Sequence, residues 1–329
     1  MGKAVIAVDA MGGDNAPGEI VKGAVEAVNE FSANIILVGL EDAIRRELAQ
    51  YTYPADAITI VPASEVISTE EVPTTAIRRK KDASMVVGLR LVKEGKADAF
   101  VSAGSTGALL TGATMIIGRI KGIERPALGT MLPTTKGFTF LLDSGANVDC
   151  KPSYLVQFAK MASVYVEHVV GVKNPSVGLV NIGAEKEKGD SLSKETHELL
   201  EETEGIRFVG NVEAREIPFG QADIVVCDGF VGNVILKFAE GLSLALLGTV
   251  KEEITKGWYK LAAAALLKPF RNIKHRFDAE EVGGAPFLGL KALVVKAHGS
   301  SKAKGIKNAI KQCESFVEND IVIKIQEQL

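Results

Sequence analysis

Two lysines, Lys186 and Lys188, stand in the loop Gly183-Ala184-Glu185-Lys186-Glu187-Lys188-Gly189-Asp190, directly after an apolar run. A cation so placed can neutralise a phosphate or polarise a carbonyl oxygen, or it can simply be solvated. In Asp228-Gly229-Phe230-Val231-Gly232-Asn233 the Asn233 amide can donate to an oxyanion or phosphate, with Asp228, Gly229 and Gly232 as substrate- or phosphate-binding positions, or the segment simply caps a helix. The loop Asp9-Ala10-Met11-Gly12-Gly13-Asp14-Asn15 offers two carboxylates, two glycines and an amide, with Asn15 able to cap the helix near Pro17. Ser102-Ala103-Gly104-Ser105-Thr106-Gly107 is hydroxyl-rich and suits an anion, or caps a helix through Ser105 or Thr106. His298, in Ala297-His298-Gly299-Ser300-Ser301, is a proton donor or a structural histidine.

These loops share one setting. Each follows a short apolar run and precedes a helical pattern, over Val5–Pro17, Phe100–Ala108, Phe140–Asp149, Val177–Asp190, Ile224–Asn233 and Val294–Ser301. Apolar runs bounded by turn residues read as buried parallel strands, and open α/β sheets bind ligands at the strands' carboxyl ends. Six such loops predict one shared cleft for a phosphate-bearing ligand.

Strands are predicted at 3–9, 34–39, 57–61, 98–102, 126–132, 138–143, 176–182, 206–210, 223–228 and 292–296. Helices are predicted at 17–31, 41–50, 74–94, 105–118, 151–170, 190–204, 231–277 and 301–328. The alternation implies a mainly parallel sheet covered on both faces, in a single α/β domain over 1–329. Residues 231–277 break it with a helical pair for dimer packing and membrane contact. Its second half is basic and carries Trp258, Leu261, Leu266, Leu267 and Phe270, types that suit an anionic membrane surface. Arg78, Arg79, Lys80 and Lys81 sit early in a helix, where the macrodipole disfavours cations; they face an acidic partner or solvent.

Composition narrows the class. The chain has 329 residues, 47% hydrophobic and 24% charged, which supports a substantial core. A formal net charge of −3 gives no bulk affinity for nucleic acid. Cys150, Cys227 and Cys313 show no CxxC spacing, consistent with a reduced cytoplasm. Cys227, flanked by apolar residues, reads as a core residue rather than a nucleophile. No uninterrupted apolar stretch is long enough to span a bilayer. P-loop, GxGxxG, GxSxG and metal-ligating Cys/His patterns are missing, which argues against a nucleotide hydrolase, a standard dinucleotide enzyme, an α/β-hydrolase and a zinc enzyme.

The chain resembles the PlsX family of bacterial acyl-acyl-carrier-protein:phosphate acyltransferases from Ala7–Asp14 to Lys296–Ser301. Ser102–Ala108, Gly118–Gly122, Asp143–Asn147, Gly210–Arg215 and Asp228–Asn233 carry the likeness between. Ser105 and Asp190 stand where the family commonly has Asn, and both keep a capping side chain. The resemblance implies a three-layer, mainly parallel fold of the isocitrate/isopropylmalate dehydrogenase-like and phosphotransacetylase-like type, as a homodimer without cofactor or metal. It implies that phosphate attacks an acyl-carrier-protein thioester, and that the acyl phosphate feeds a membrane glycerol-3-phosphate acyltransferase in phospholipid synthesis. The enzyme would be cytoplasmic and peripherally membrane-associated. On that reading Lys188, with Lys186 nearby, holds the phosphate or the oxyanion, and Asn233 donates to the same oxygen. Ser102, Gly104, Ser105, Thr106 and Gly107 cradle phosphate. Asp9, Gly12, Gly13, Asp14 and Asn15 orient the other loops, and His298 protonates the leaving thiolate. The acidic carrier protein docks on Arg78–Lys81. The alternatives are a phosphotransacetylase-like enzyme using acyl-coenzyme A, an NAD-dependent β-decarboxylating dehydrogenase, and a non-catalytic membrane scaffold.

Overall fold

A computed structural model describes residues 3–256, 268, 272–273 and 279–328. The apolar runs form one eleven-stranded sheet among the described residues. Numbered along the chain and given in spatial order, its strands are β3 (Ile58–Pro62), β2 (Asn34–Gly39), β1 (Val5–Asp9), β4 (Ala99–Ser102), β11 (Leu293–Ala297), β10 (Gly284–Leu288), β5 (Ala127–Thr134), β6 (Gly137–Leu142), β9 (Ile224–Val226), β7 (Ser176–Asn181) and β8 (Arg207–Glu213). Alternate residues of one strand go to opposite faces, as the pleat requires. Ile6 and Val8 pack in one core with α1 (Gly18–Phe31), α6 (Pro152–Tyr165) and the helix Ala303–Glu318. Ala7 and Phe100 pack in the other with α3 (Pro73–Arg79), α4 (Ser84–Lys93) and α5 (Thr106–Ile116). Helices therefore cover both faces, and the predicted three-layer α/β fold is present.

The sheet is less parallel than the alternation implied. The first five strands in spatial order, β3 to β11, are mutually parallel, as are β6, β9, β7 and β8. Between these blocks lie three antiparallel steps, β11–β10, β10–β5 and β5–β6. Three reversals leave the blocks running in opposite directions. The loops after β1, β4 and β11 leave one edge of the sheet, and those after β6, β7 and β9 leave the opposite edge. The expected single row of six loops is two rows of three.

Three other expectations need correcting. β10 was missed; its sequence Gly-Ala-Pro-Phe-Leu has no β-branched residue and its proline cannot donate to the ladder. The helix predicted at 74–94 breaks at Lys80–Ala83, where the Asp82 carboxylate accepts from Ser64 N at 2.8 Å and Ser64 Oγ at 2.5 Å. The one predicted at 301–328 breaks at Asn319–Asp320, with Asp320 at φ 49°.

The helix predicted from 231 begins at 229, as α8 (Gly229–Ile254). By length and composition α8, with 26 residues and an 18-residue window of mean hydropathy 1.6, is long and apolar enough to cross a membrane, although Lys237 and Glu240 interrupt its apolar run. Little of it is buried. Trp258, Leu261, Leu266, Leu267 and Phe270 lie outside the described residues.

Candidate functional site

The loops after β1, β4 and β11 interlock. Asp9, buried at the end of β1, accepts from Ser102 Oγ at 2.7 Å and from Met11 N at 3.2 Å. Ser102 Oγ in turn accepts from Gly104 N at 3.1 Å. Asp14 N donates to Gly299 O at 2.8 Å, and Asn15 Nδ2 donates to Ser300 O at 3.0 Å and Ser301 O at 3.3 Å. The Asn15 amide thus ties two loops together and does not cap α1. Gly13 lies at φ 98°, where a Cβ would come within 2.8 Å of Ala103 Cβ and 2.9 Å of Gly299 O. Only glycine fits both that conformation and that approach. Burial pushes the Asp9 carboxyl up, against its hydrogen bonds. Ser105 Oγ accepts from Ala108 N at 3.4 Å, so Ser105 caps α5 and leaves Thr106 and Gly107 at the helix start.

Above this floor stands a buried cation absent from the predicted set. Lys296, 9% exposed at the end of β11, donates to Ala103 O at 3.2 Å and to Ala297 O. Burial, with the Lys237 ammonium adding, pulls it down to about 8. The sequence signal was a lysine inside an otherwise apolar strand. Next along the chain, His298 Nδ1 accepts from Ser300 N at 3.2 Å and lies 2.8 Å from Ser300 Oγ. A backbone N–H can only donate, which assigns the proton to Nε2. Nε2 faces Lys237 Nζ at 3.4 Å. Lys237 Nζ also donates to Glu240 Oε2 at 2.8 Å, and an acceptor lying to one side of the two nitrogens can take a hydrogen bond from both. Desolvation first, then Lys237, lowers the His298 pKa, so the ring is neutral at pH 7.

The opposite edge is organised by another buried carboxylate. Asp143 Oδ1 accepts from Leu128 N, Gly145 N and Ala146 N, and Oδ2 from Asn147 N and Nδ2. Burial still raises its pKa. α8 starts on this turn. Asp228 Oδ1 caps it by accepting from Phe230 N and Val231 N, both at 2.9 Å. Gly229 N donates to Asn147 O at 2.6 Å, and a Cβ on Gly232 would sit 1.9 Å from Asp143 O. Gly229 and Gly232 are therefore close-packing positions rather than ligand contacts. Asn233 is exposed beside Gly145. One turn later on the same helical face comes Lys237, which reaches His298 of the first edge. α8 is the element that joins the two rows of loops.

Lys186 and Lys188 stand apart from this junction. Both are exposed in the loop after β7; Lys186 is ion-paired to Glu201, and Asn181 Nδ2 donates to Lys188 O at 3.1 Å. That loop leaves the same edge as the Asn233 loop, on the adjacent parallel strand. Asp190 caps the next helix by accepting from Ser193 N at 2.8 Å. Of the basic tetrad, Lys80 is a strut, donating to Val66 O and Glu71 Oε1, both at 2.7 Å. Arg78, Arg79 and Lys81 are exposed.

Between α8 and the sheet lies a cavity of about 700 Å³. Thr106, Lys237, Glu240, Lys296 and His298 line one end; mostly apolar side chains from β5, β6, β10, α8 and the turn Ala214–Phe219 line the rest, with Thr130, Ser243 and Arg215 among them. The cysteines are not thiolates: Cys227 is pushed up by burial and two carboxylates, and Cys150 by burial to about 12. Among the described residues no three His, Cys, Asp or Glu side chains are grouped to hold a metal.

Residues 4–324 match the family model described as fatty acid synthesis protein. A phosphate acyltransferase of Clostridium kluyveri is 54% identical over 323 residues, covering 98% of this chain and 96% of its own. One of Clostridium acetobutylicum is 54% identical over 327 residues, 99% of this chain and 98% of its own. In fold the chain is similar to a phosphotransacetylase from Streptococcus pyogenes, with a TM-score of 0.67 at 19% identity, over 96% of this chain and 94% of that one. A branched-chain phosphotransacylase from Enterococcus faecalis gives 0.60 at 16% identity, over 95% and 99%.

Proposed function

The chain belongs to the PlsX family of fatty acid synthesis proteins and is a phosphate-using acyltransferase of phospholipid synthesis; from that premise we propose that its donor is an acyl-carrier-protein thioester and its product a free acyl phosphate. The observation that carries this reading is the donor pair His298 Nε2–H and Lys237 Nζ, 3.4 Å apart beside Thr106 and Lys296. An oxygen of inorganic phosphate lying beside the pair accepts from both, and Lys296, together with Lys237 shared with Glu240, offsets its charge.

A phosphate oxygen forms a bond to the thioester carbonyl carbon, the carbonyl becomes an oxyanion, and its collapse breaks the C–S bond. The carrier protein leaves as a thiolate that takes a proton from water. Orientation by the loops supplies much of the rate, because phosphate is itself the nucleophile and neither cysteine offers a thiolate. Asn233 donates to the oxyanion. His298 is a hydrogen-bond donor to phosphate in this scheme. Its lowered pKa leaves little imidazolium to protonate the thiolate, so the expected acid role is revised.

The outward face of α8 is the homodimer contact. Val234 and Leu244 are 53% and 72% exposed, more apolar surface than a lone chain leaves open on one helix. Membrane attachment and hand-over to a membrane acyltransferase belong to the same reading, with the basic stretch after α8 as the contact. The test is to incubate the purified protein with acyl-carrier-protein thioester and phosphate and trap acyl phosphate as hydroxamate. Product from acyl-coenzyme A alone would shift the assignment to a phosphotransacylase; no product from either donor would end it.

A further inference from the structure

The cavity under α8 is amphiphilic along its length. Its polar end is the Lys237–Lys296–His298 cluster, with Glu240 paired to Lys237; beyond it the walls are mostly apolar, past Leu132 on β5 to Phe138 on β6 and Ile217, with Thr130, Ser243 and Arg215 among them. It crosses from β11 over β10 and β5 to β6, three strand spacings, or about 14 Å. A channel with lysines at one end and mostly apolar walls along the rest matches a molecule with a polar head and an apolar chain.

We propose that this cavity is the acyl channel, with the reacting carbonyl at the cationic end, the chain running under α8 and its methyl end against Phe138 and Ile217. The proposal rests on the acyl-transfer reading above and assigns it a place. Three observations support it. Thr106 of the phosphate loop and Ala297 of β11 line the same cavity as the apolar wall, so a chain in it delivers its carbonyl to the anion site without a second path. The cavity runs across strands, under a helix, which suits an unbranched chain better than a compact group. Of the exposed apolar residues of α8, Phe238, Leu242 and Leu246 line the cavity and Val234 and Leu244 do not, so a partner copy seated on the last two alone leaves the channel free.

Ala239 is the length-setting position. It lines the cavity from α8, two residues beyond Lys237 and so just past the cationic end, and its methyl group takes up little of the cross-section. Phe138, 51% exposed, closes the far end.

The experiment measures acyl phosphate from four-carbon and sixteen-carbon carrier-protein thioesters. Ala239→Trp should lower kcat/KM for the long chain at least tenfold relative to the short one, the scale set by losing room for a few methylenes. Phe138→Ala should raise the long-to-short ratio a few-fold. Melting temperature and native mass accompany each variant. Folded variants with an unchanged ratio overturn the channel while leaving acyl transfer intact. Equal loss on both chains together with dissociation to single chains also overturns it, and makes the cavity part of the interface. If the wild type forms no acyl phosphate from either chain, the acyl-transfer reading falls first. Should Ala239→Trp not fold, Phe138→Ala decides alone, since its half-exposed ring contributes little to the core.

Discussion

The two sides of the site are built on opposite principles. The floor, formed by the loops after β1, β4 and β11, is tied within one chain: Asp9, Ser102 and Gly104 bond in series, Asp14 bonds Gly299, and Asn15 bonds Ser300 and Ser301. The roof, α8, is fixed at its root by Asp228, Gly229 and Gly232 and then leaves Val234, Phe238, Leu242, Leu244 and Leu246 in solvent. Polar groups that hold a small anion must be preorganised, because an unpaired buried donor or carboxylate costs more than its bond returns. Apolar surface needs only an occupant. Floor variants should therefore act on turnover and stability, and roof variants on what the enzyme binds.

Asn233, at the root of the roof yet facing the chemistry, breaks that contrast most sharply. Asn233→Ala should lower turnover about 10²–10³-fold, the scale of one lost oxyanion donor, or about 3–4 kcal/mol. Its side chain is exposed, so the melting temperature should hardly move. A variant with turnover within a few-fold of wild type would remove Asn233 from the reaction.

Lys296 tests the floor through pH. Its folded pKa of about 8 lies below the usual lysine value near 10.4, so between these the folded state has released a proton that the unfolded chain retains. Stability contributed by this group therefore rises as pH climbs from about 8 to 10.4, by about 3 kcal/mol in total. Lys296→Met has no such group. Denaturant unfolding at pH 7.5 and 10.5 should show wild type gaining relative to the variant. Parallel behaviour of the two would mean that Lys296 keeps an ordinary pKa.

How far this site could be read in advance turned on one strand. The ten predicted strands were legible because continuous apolar runs such as Val177–Val180 leave no other arrangement. Gly284–Leu288 carried no such signal, yet each strand added to a sheet sets the direction of all beyond it. Missing β10 and treating the rest as parallel merged two edges into one and put Lys188 beside Ser102. Local chemistry travelled better: Ser105, Asp190 and Asp228 each cap the helix they precede, as their types and positions allow. Lys237 carried no loop or glycine to mark it, because its role comes from a contact 61 residues away in sequence.

Within the floor, Ser102 tests how firmly the loops are tied. Its hydroxyl donates to buried Asp9 and accepts from Gly104 N. Ser102→Ala removes the acceptor of Gly104 N and one donor to Asp9, which keeps Met11 N, and should cost about 1–3 kcal/mol by thermal or urea unfolding. Ser102→Thr keeps the hydroxyl and should recover most of that if its methyl fits. A loss below about 0.5 kcal/mol for Ser102→Ala would show that neighbouring donors compensate, and that the ties of the floor are redundant.

The smallest effect lies outside both regions, at the proposed carrier-protein dock. The tetrad divides by structure: Lys80 is held by Glu71 and Val66 O, whereas Arg78 and Arg79 project from the end of α3. Only free charges steer an acidic partner, and each exposed charge contributes up to about 1 kcal/mol at low salt. Arg78→Glu with Arg79→Glu should therefore raise the KM for the carrier-protein thioester several-fold, leave the KM for phosphate unchanged, and flatten the salt dependence of the first. Lys80→Met should instead act on stability, because it breaks the Glu71 contact that braces the segment before α3. Carrier-protein KM unchanged in the double variant would move the dock elsewhere on the surface. A rise in the phosphate KM as well would mean that α3 leans on the phosphate floor through Pro73, whose ring lies 3.1 Å from where a Cβ on Gly107 would stand.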